Sequence, residues 1–314
     1  MMNISELQHF KTPVIRIEDD DNSIYVKRED LIPFSFGGNK VRIALEFYND
    51  MEKHGCNCIV GYGGLKSNLN RALANICAVE NIPCHIISAL DDGERGEETF
   101  NSRMAVSFGA VFHHCRKSEV KDTVENLLHS LREQGLNPYY IYGNSLGEGN
   151  EHIPLKAYEK IYKEIMGKYD YIFVAVGTGT TCAGLLAGKA IYGGKEKIIG
   201  ISVARPSDRE TQVIRKSLLC YSERVRRIDI PDIIVDDSSL IGGYALYNQE
   251  IENTIRRQMR INGLPLDPVY TGKAFYGMQE YLRRNRIRGQ KVLFIHTGGT
   301  PLFFDYLSRS DGIR

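Results

Sequence analysis

The sequence predicts an α/β protein built from two open, doubly wound α/β domains, with a binding site in the cleft between them. Short apolar runs alternate with longer amphipathic runs along most of the 314 residues, which is the pattern of β-α-β units with right-handed crossovers. The runs at 171–176 and 291–296 are almost continuously apolar, as is typical of parallel strands covered on both faces. Glycine-rich segments follow several strands, and ligands of open α/β folds bind at these carboxyl ends.

The predicted elements form two series, separated by residues 144–152, which lack periodicity. In the first series, strands are predicted at 58–62, 84–88, 111–113 and 139–142, and helices at 67–80, 97–108 and 118–133. A helix predicted at 154–168 follows the separating residues. In the second, strands are predicted at 171–176, 198–203 and 291–296, and helices up to 191 and at 209–219, 248–262 and 272–283.

The two series predict two domains. Because a boundary is expected shortly after Lys40, the N-terminal segment joins the C-terminal half. We therefore predict a large cofactor-binding domain of residues 1–45 plus 150–314 and a small substrate-side domain of residues 46–149.

The charge balance argues against polyanionic partners. Lys plus Arg number 40 and Asp plus Glu 39, for a net charge of +1, so no nucleic acid or membrane surface is expected. No apolar stretch approaches the ~20 residues of a membrane helix, and the start lacks a secretion-signal pattern. Seven scattered cysteines argue against a disulfide framework, and the Cys56-x-Cys58 pair has no second pair to complete a zinc site. We expect a cytoplasmic protein without a metal.

The first chemical motif is Gly37-Gly38-Asn39-Lys40. Two glycines permit backbone torsions and a close approach that side chains would block, and a lysine amine becomes nucleophilic when burial lowers its pKa. Taken alone, the motif is more typical of a turn followed by an exposed lysine at a helix start.

The second motif, Gly177-Thr178-Gly179-Thr180-Thr181, follows a buried strand and opens a helix. Backbone N–H groups at a helix start favour an anion, and threonine hydroxyls add donors. It matches neither the Walker P-loop nor the dinucleotide fingerprint. It predicts a phosphate site, with a plain strand-to-helix turn as the alternative.

Three further motifs lie at strand ends or before helices. The segment 63–68 is a second candidate anion site, suited to a substrate carboxylate, and Ser67 is also an ordinary N-cap. The segments 267–273 (DPVYTGK) and 296–300 (HTGGT) are consistent with a core tyrosine and a glycine turn. Each motif is weak alone, and the combination of one phosphate site, one carboxylate site and one glycine-flanked lysine is the stronger indication of function.

This ordered combination resembles the fold-type II (tryptophan synthase beta-like) pyridoxal-phosphate enzymes, and within them the D-cysteine desulfhydrase and 1-aminocyclopropane-1-carboxylate deaminase family. The resemblance extends from about residue 12 to residue 306. It implies pyridoxal 5′-phosphate as cofactor, a small amino-acid substrate and a homodimer.

The resemblance also implies residue roles. Lys40 is the Schiff-base lysine and the acid/base at Cα, Ser67 binds the substrate carboxylate, and Asn68 binds the cofactor 3-hydroxyl. Tyr270 and Tyr244 face the β-substituent of the substrate. The cofactor phosphate is bound by the loop residues Thr178, Gly179, Thr180 and Thr181.

Thr271 separates the two activities within that family. Deaminase-like members carry glutamate at this position, which keeps the ring nitrogen protonated and strengthens the electron sink. Desulfhydrase-like members carry V-Y-T-G-K, as this chain does, and the resemblance implies that Thr271 binds the cofactor by offering its ring nitrogen a neutral hydrogen bond. On this basis, α,β-elimination on D-cysteine to pyruvate, sulfide and ammonia is expected. The alternatives are cyclopropane-carboxylate deamination, β-replacement on an activated serine, and a non-catalytic protein that binds a phosphorylated ligand.

Two positions depart from the family pattern. A lysine that often lies near the phosphate is replaced by Ile43, and the glutamine before Ser67 is replaced by Lys66. Both departures bear on the substrate more than on the cofactor.

Overall fold

The structure is a computed structural model that describes residues 4–19, 21–90 and 97–309. In these residues the strands are β1 (Val14–Ile17), β2 (Ser23–Arg28), β3 (Cys58–Tyr62), β4 (Cys84–Leu90), β5 (Val111–Arg116), β6 (Pro138–Tyr140), β7 (Tyr171–Val176), β8 (Lys197–Ser202), β9 (Ile234–Asp236) and β10 (Lys291–His296). The α-helices are α1 (Asn39–Lys53), α2 (Asn68–Glu80), α3 (Phe100–Ser107), α4 (Val120–Glu133), α5 (Leu155–Ile165), α6 (Thr180–Tyr192), α7 (Ser207–Arg224), α8 (Gln249–Asn262), α9 (Thr271–Arg284) and α10 (Thr300–Arg309). No helix in this part of the chain is long and apolar enough to cross a membrane.

Two compact units divide the chain. The first comprises the residues up to His9 and Lys40–Ile153, and the second comprises Phe10–Asn39 and the residues from Pro154 onward. These divisions differ by a few residues from the boundaries placed at 45/46 and 149/150. The first division lies between Asn39 and Lys40, the first two residues of α1. The N-terminal residues group with the first unit, where Arg42 Nη1 donates to the carbonyl of Leu7 at 3.4 Å.

The first unit contains a four-stranded sheet in the order β5-β4-β3-β6. All three strand pairings are parallel, as the apolar runs predict. Helix α4 packs its apolar face on this sheet, and the shared core consists of Cys58, Val60, Ile87, Val124, Leu128, Leu131 and Tyr140. The carboxyl end of β3 leads directly to the segment 63–68.

The second unit contains a six-stranded sheet in the order β1-β2-β10-β7-β8-β9. The edge strand β1 is antiparallel to β2, and the other pairings are parallel. Its core includes Val26, Phe173, Ile201, Ile255, Phe275 and Phe294. The carboxyl ends of β7, β8 and β10 carry the loops at 177–179, 203–206 and 297–299.

The α/β fold with parallel sheets is confirmed, but strand β2 was not predicted. It contains Lys27, whose side chain is buried within the sheet. Nζ of Lys27 lies 3.1 Å from Glu164 and 3.7 Å from Glu29. Buried charges require partners of this kind, and Glu164 lies far along the chain, so apolar periodicity does not reveal the strand.

Candidate active site

Lys40 is the second residue of α1 and directly follows a left-handed turn. Gly37 and Gly38 have φ of +69° and +100°, which suits glycine. Asn39 then anchors the helix start: its N–H donates to Thr297 O at 2.9 Å, and its Nδ2 donates to Thr181 Oγ1 at 2.8 Å. The residue before Lys40 is thus bound directly to the segment 177–181, which we call the Gly/Thr loop.

The turn before Lys40 packs against the glycines that follow β10. A Cβ at Gly298 would lie 2.5 Å from Gly38 Cα, and one at Gly38 would lie 3.0 Å from Thr297 O. The motifs G-G-N-K and H-T-G-G therefore meet backbone to backbone, which explains why both carry glycine pairs.

Two lysines have a lowered pKa, but only one amine is engaged. Burial lowers the pKa of Lys40 and of Lys273 to about 8. Nζ of Lys273 donates to the carbonyls of Gly243, Leu240 and Val203 at 2.8, 3.0 and 3.3 Å, which uses all three ammonium hydrogens. In the described part of the chain, no hydrogen bond or ion pair engages Nζ of Lys40. Lys40 is therefore the available nucleophile, and Lys273 fixes the loop before Tyr244.

The segment 63–68 forms the start of α2. Ser67 Oγ accepts from the N–H of Asn70 at 3.2 Å, so the predicted N-cap is confirmed. Asn70 Nδ2 donates to Gly63 O at 3.1 Å and ties the loop to the helix. The remaining N–H groups of the first turn have no intrahelical acceptor, an arrangement that favours an anion.

Polar side chains behind Asn68 support this loop and were not predicted. Arg71 Nη1 donates to Asn68 Oδ1 and to Asn101 Oδ1, each at 2.7 Å. Asn101 Nδ2 donates to Asn68 Oδ1 and Lys66 O, each at 3.1 Å. Arg71 and Asn101 are buried. The spacing of Asn68 and Arg71, three residues apart on one helix face, is the signal that indicates their contact.

The Gly/Thr loop begins α6 without a side-chain cap. Gly179 is the N-cap, with φ of +75°, and Thr178 Oγ1 lies 3.3 Å from Thr180 Oγ1. The N–H groups of the first turn and the hydroxyls are neutral donors, a set that suits a phosphate.

Arg205 contacts this loop from the carboxyl end of β8 and was also not predicted. Its Nη1 donates to Gly177 O at 3.1 Å and lies 3.5 Å from Glu210 Oε2. Because the peptide unit is planar and trans, holding the carbonyl of Gly177 directs the N–H of Thr178 the opposite way. Burial raises the pKa of Glu210 to about 7, and the nearby Arg205 opposes this rise.

Tyr244 and Tyr270 lie side by side in the second unit. Their hydroxyl oxygens are 2.7 Å apart, and their rings meet edge to face with centroids 5.9 Å apart. Removal from water raises the pKa of Tyr244, so its phenol is protonated at neutral pH. Tyr270 also lies beside the Gly/Thr loop, since a Cβ at Gly177 would be 3.5 Å from its ring.

Thr271 is buried and shares its hydroxyl with Asp267. Its Oγ1 donates to Asp267 Oδ2 at 2.7 Å and accepts from the N–H of Asp267 at 2.8 Å. The carboxylate of Asp267 accepts three more bonds, from the N–H groups of residues 269, 270 and 271. A hydroxyl has one hydrogen, so Thr271 as placed has none left to donate to a ring nitrogen.

The candidate residues are divided between the units. Lys40, Ser67 and Asn68 belong to the first unit. The Gly/Thr loop, Tyr244, Tyr270 and Thr271 belong to the second. Within each unit, the predicted residues lie at helix starts and strand ends, except for Tyr244, which lies in a turn.

Comparisons with known proteins find relatives over most of this chain. A relative from Pyrococcus abyssi named "Putative 1-aminocyclopropane-1-carboxylate deaminase" is 30% identical over 295 residues, which cover 90% of this chain and 86% of the relative. A Burkholderia ambifaria protein named 1-aminocyclopropane-1-carboxylate deaminase is 30% identical over 301 residues, covering 90% of this chain and 88% of its own. A crystal structure of an ACC deaminase homologue superposes with a TM-score of 0.85 at 26% identity, covering 97% of this chain and 94% of that one.

The family assignment follows from these findings. Residues 6–298 match the family described as pyridoxal-phosphate dependent enzyme. The resemblance to fold-type II enzymes and the expected cofactor are thereby confirmed. This chain belongs to the family of pyridoxal-phosphate dependent enzymes.

Proposed function

We propose that this protein is a lyase that carries out α,β-elimination on a β-substituted amino acid, with D-cysteine as the best candidate. The products are pyruvate, sulfide and ammonia. The observation that carries this proposal is the bonding of Thr271, whose hydroxyl hydrogen is donated to Asp267.

The donor set fits the cofactor. The neutral N–H groups at the start of α6 and the hydroxyls of Thr178 and Thr180 suit a phosphate, and the lowered pKa of Lys40, about 8, suits an amine that bonds covalently to a carbonyl carbon. When bound, pyridoxal phosphate supplies an electron sink that stabilises negative charge at the substrate Cα. Asn68 binds the 3-oxygen of the cofactor.

The chain's own residues move the protons. Ser67 and the N–H groups at the start of α2 bind the substrate carboxylate and orient Cα. The amine of Lys40 takes the Cα proton as the bond from Cβ to sulfur breaks. The Tyr244–Tyr270 pair donates a proton to the departing thiolate, which leaves as sulfide. Addition of water to the remaining three-carbon fragment yields pyruvate and ammonia.

The bonding of Thr271 favours elimination over ring opening. A carboxylate beside the ring nitrogen would hold a proton there and deepen the electron sink. Thr271 is neutral, and the four hydrogen bonds to Asp267 occupy the nearest carboxylate in this segment. Elimination requires the cofactor to stabilise less negative charge at Cα, because the electron pair released there expels the leaving group from Cβ.

A second candidate is 1-aminocyclopropane-1-carboxylate deamination. It is supported by the names of the curated relatives at 30% identity and of the crystal structure at 26% identity. Both candidates need the same cofactor and the same amine at Lys40, so the substrate separates them.

A substrate panel tests the proposal. Purified protein loaded with cofactor is incubated with D-cysteine, L-cysteine, O-acetylserine plus sulfide, and the cyclopropane acid, and sulfide, cysteine, pyruvate and four-carbon 2-oxo acid are measured. We expect pyruvate and sulfide in equal amounts from D-cysteine. Four-carbon oxo acid as the main product would establish the deaminase, and new cysteine from O-acetylserine the replacement enzyme. A preparation that binds cofactor without covalent attachment and turns over none of these would indicate a binding protein.

Borohydride trapping tests the role of Lys40. Reduction of the loaded protein followed by peptide mapping is expected to find the cofactor on the peptide that contains Lys40. The peptide that contains Lys273 serves as an internal control, since its amine has a similar pKa of about 8 but is hydrogen-bonded to three carbonyls. Label on Lys273, or on neither peptide, would contradict the assignment.

Two further expectations concern assembly and location. We propose a homodimer, supported by the family resemblance, and a cytoplasmic location, supported by scattered thiols without a disulfide pattern. Analytical ultracentrifugation and fractionation of the source cells test them.

A further inference from the structure

The side-chain amide of Asn68 is held from its oxygen end. Oδ1 accepts from Arg71 Nη1 at 2.7 Å and from Asn101 Nδ2 at 3.1 Å. Among the residues that the structure describes, no acceptor bonds Nδ2 of Asn68. The amide therefore has a satisfied acceptor and two unused donors.

Chemistry decides which way this amide faces. A guanidinium has five N–H donors and no acceptor, so the Asn68 atom in contact with Arg71 is its oxygen. The same holds for Asn101, whose Oδ1 accepts from Arg71 at 2.7 Å and whose Nδ2 donates to Lys66 O at 3.1 Å. The usual ambiguity between amide O and N is removed at both residues.

The charge of Arg71 acts on Asn68 through this bond. Arg71 is fully buried, with 0% of its surface exposed, and burial lowers its pKa to about 10, so it remains charged at neutral pH. A cation bonded to an amide oxygen polarises the amide and strengthens its N–H donors, most of all where water is excluded.

We infer that Arg71 is a positioning residue for the cofactor, which fixes the Asn68 amide so that Nδ2 donates to the 3-oxygen of pyridoxal phosphate and favours the oxyanion form of that oxygen. The inference rests on the proposed role of Asn68. Without Arg71, the amide can turn and present Oδ1, which repels an oxyanion.

The test uses the visible absorbance of the cofactor-loaded protein. We compare wild type, Arg71→Gln and Arg71→Lys. For each protein we record the visible absorbance band of the bound cofactor between pH 5 and 10, take the pH at which half of its change is complete as the midpoint, and measure the Kd for pyridoxal phosphate. Glutamine has both a donor and an acceptor, so it does not fix the orientation of the Asn68 amide. In Arg71→Gln the midpoint is therefore expected to rise by about one unit and the Kd by about tenfold. Lysine, like arginine, is positively charged and has donors but no acceptor, so Arg71→Lys is expected to shift the midpoint less. Arg103→Ala removes an exposed arginine from the same helix as Asn101 and should match wild type.

A second variant avoids removing the buried arginine. Asn101→Asp keeps an acceptor for Arg71 but partly neutralises its charge and removes the donor to Asn68 Oδ1, so the midpoint should again rise. Wild-type midpoints in Asn101→Asp and in folded Arg71→Gln would overturn the inference while leaving the proposed function intact. A wild-type protein without any cofactor band would overturn both.

Discussion

The two glycine-rich helix starts are built in different ways. The start of α2, at residues 63–68, is held by side chains: Ser67 caps the helix, and Arg71 and Asn101 support Asn68 from behind. The start of α6, at residues 177–181, has no side-chain cap. Side chains hold its two ends, with Arg205 at Gly177 O and Asn39 at Thr181 Oγ1, and the helix that follows packs closely against neighbouring backbone at Gly184. A helix start whose first-turn side chains are held from behind can tune the polarity of single atoms, whereas one that presents backbone N–H groups offers neutral donors. The first suits recognition of a particular group, and the second suits a phosphate.

The largest expected effect comes from adding a methyl group to the backbone-packed region. A Cβ at Gly184 of α6 would lie 2.7 Å from Leu155 O and 2.7 Å from Tyr158 Cβ. We expect Gly184→Ala to lower the free energy of unfolding by about 2 to 3 kcal/mol through overpacking.

The matched change in the other region is Gly64→Ala, where a Cβ meets nothing within 4 Å. Because its φ is not in the left-handed region, we expect a change within about 0.5 kcal/mol. Urea denaturation of both variants measures the contrast, and equal losses would show that the comparison is wrong.

The second prediction concerns the pH dependence of cofactor attachment at Lys40, the residue that follows Asn39. With a pKa of about 8, its neutral fraction rises about fivefold between pH 7 and 8 and less than twofold between pH 8 and 9. The initial rate of cofactor attachment to apoprotein, trapped with borohydride, should follow this curve. A rate that rises tenfold in both intervals would indicate an ordinary exposed lysine.

The smallest effect tests the capping difference directly. Ser67→Ala removes the side chain that accepts from Asn70 N–H, and we expect a loss of about 1 kcal/mol in the free energy of unfolding. Thr178→Ala, at the uncapped helix, removes an exposed hydroxyl whose one hydrogen-bond partner among the described residues is Thr180, so a change near zero is expected. Thermal denaturation under matched conditions measures both, and a larger loss in Thr178→Ala would reverse the comparison.

The sequence predicts the features that depend on neighbouring residues. The apolar strands β7 and β10 and the Ser67 cap are confirmed, since each depends on a few consecutive side chains. Strand β2 and the polar supports Arg71, Asn101 and Arg205 were missed. Their partners are distant in sequence or lie behind a loop, and a charged side chain in a strand or helix resembles a solvated one until its partner is known.

Thr271 shows the same limit within the candidate site. The family resemblance implies a hydroxyl that bonds the cofactor ring, but the hydroxyl hydrogen is donated to Asp267 in the structure. The residue type was apparent from the sequence, whereas the choice of partner depends on how the segment 267–271 folds back on itself.

The contact between Gly38 and Gly298 also constrains how this chain can evolve. The hypothetical Cβ of Gly298 would lie 2.5 Å from Gly38 Cα, so neither position accepts a side chain while the other backbone stays in place. Two motifs that are far apart in the sequence therefore have to be inherited as a pair. Recombination that replaces the segment around one motif with that of a distant relative is expected to succeed only when both glycines are retained.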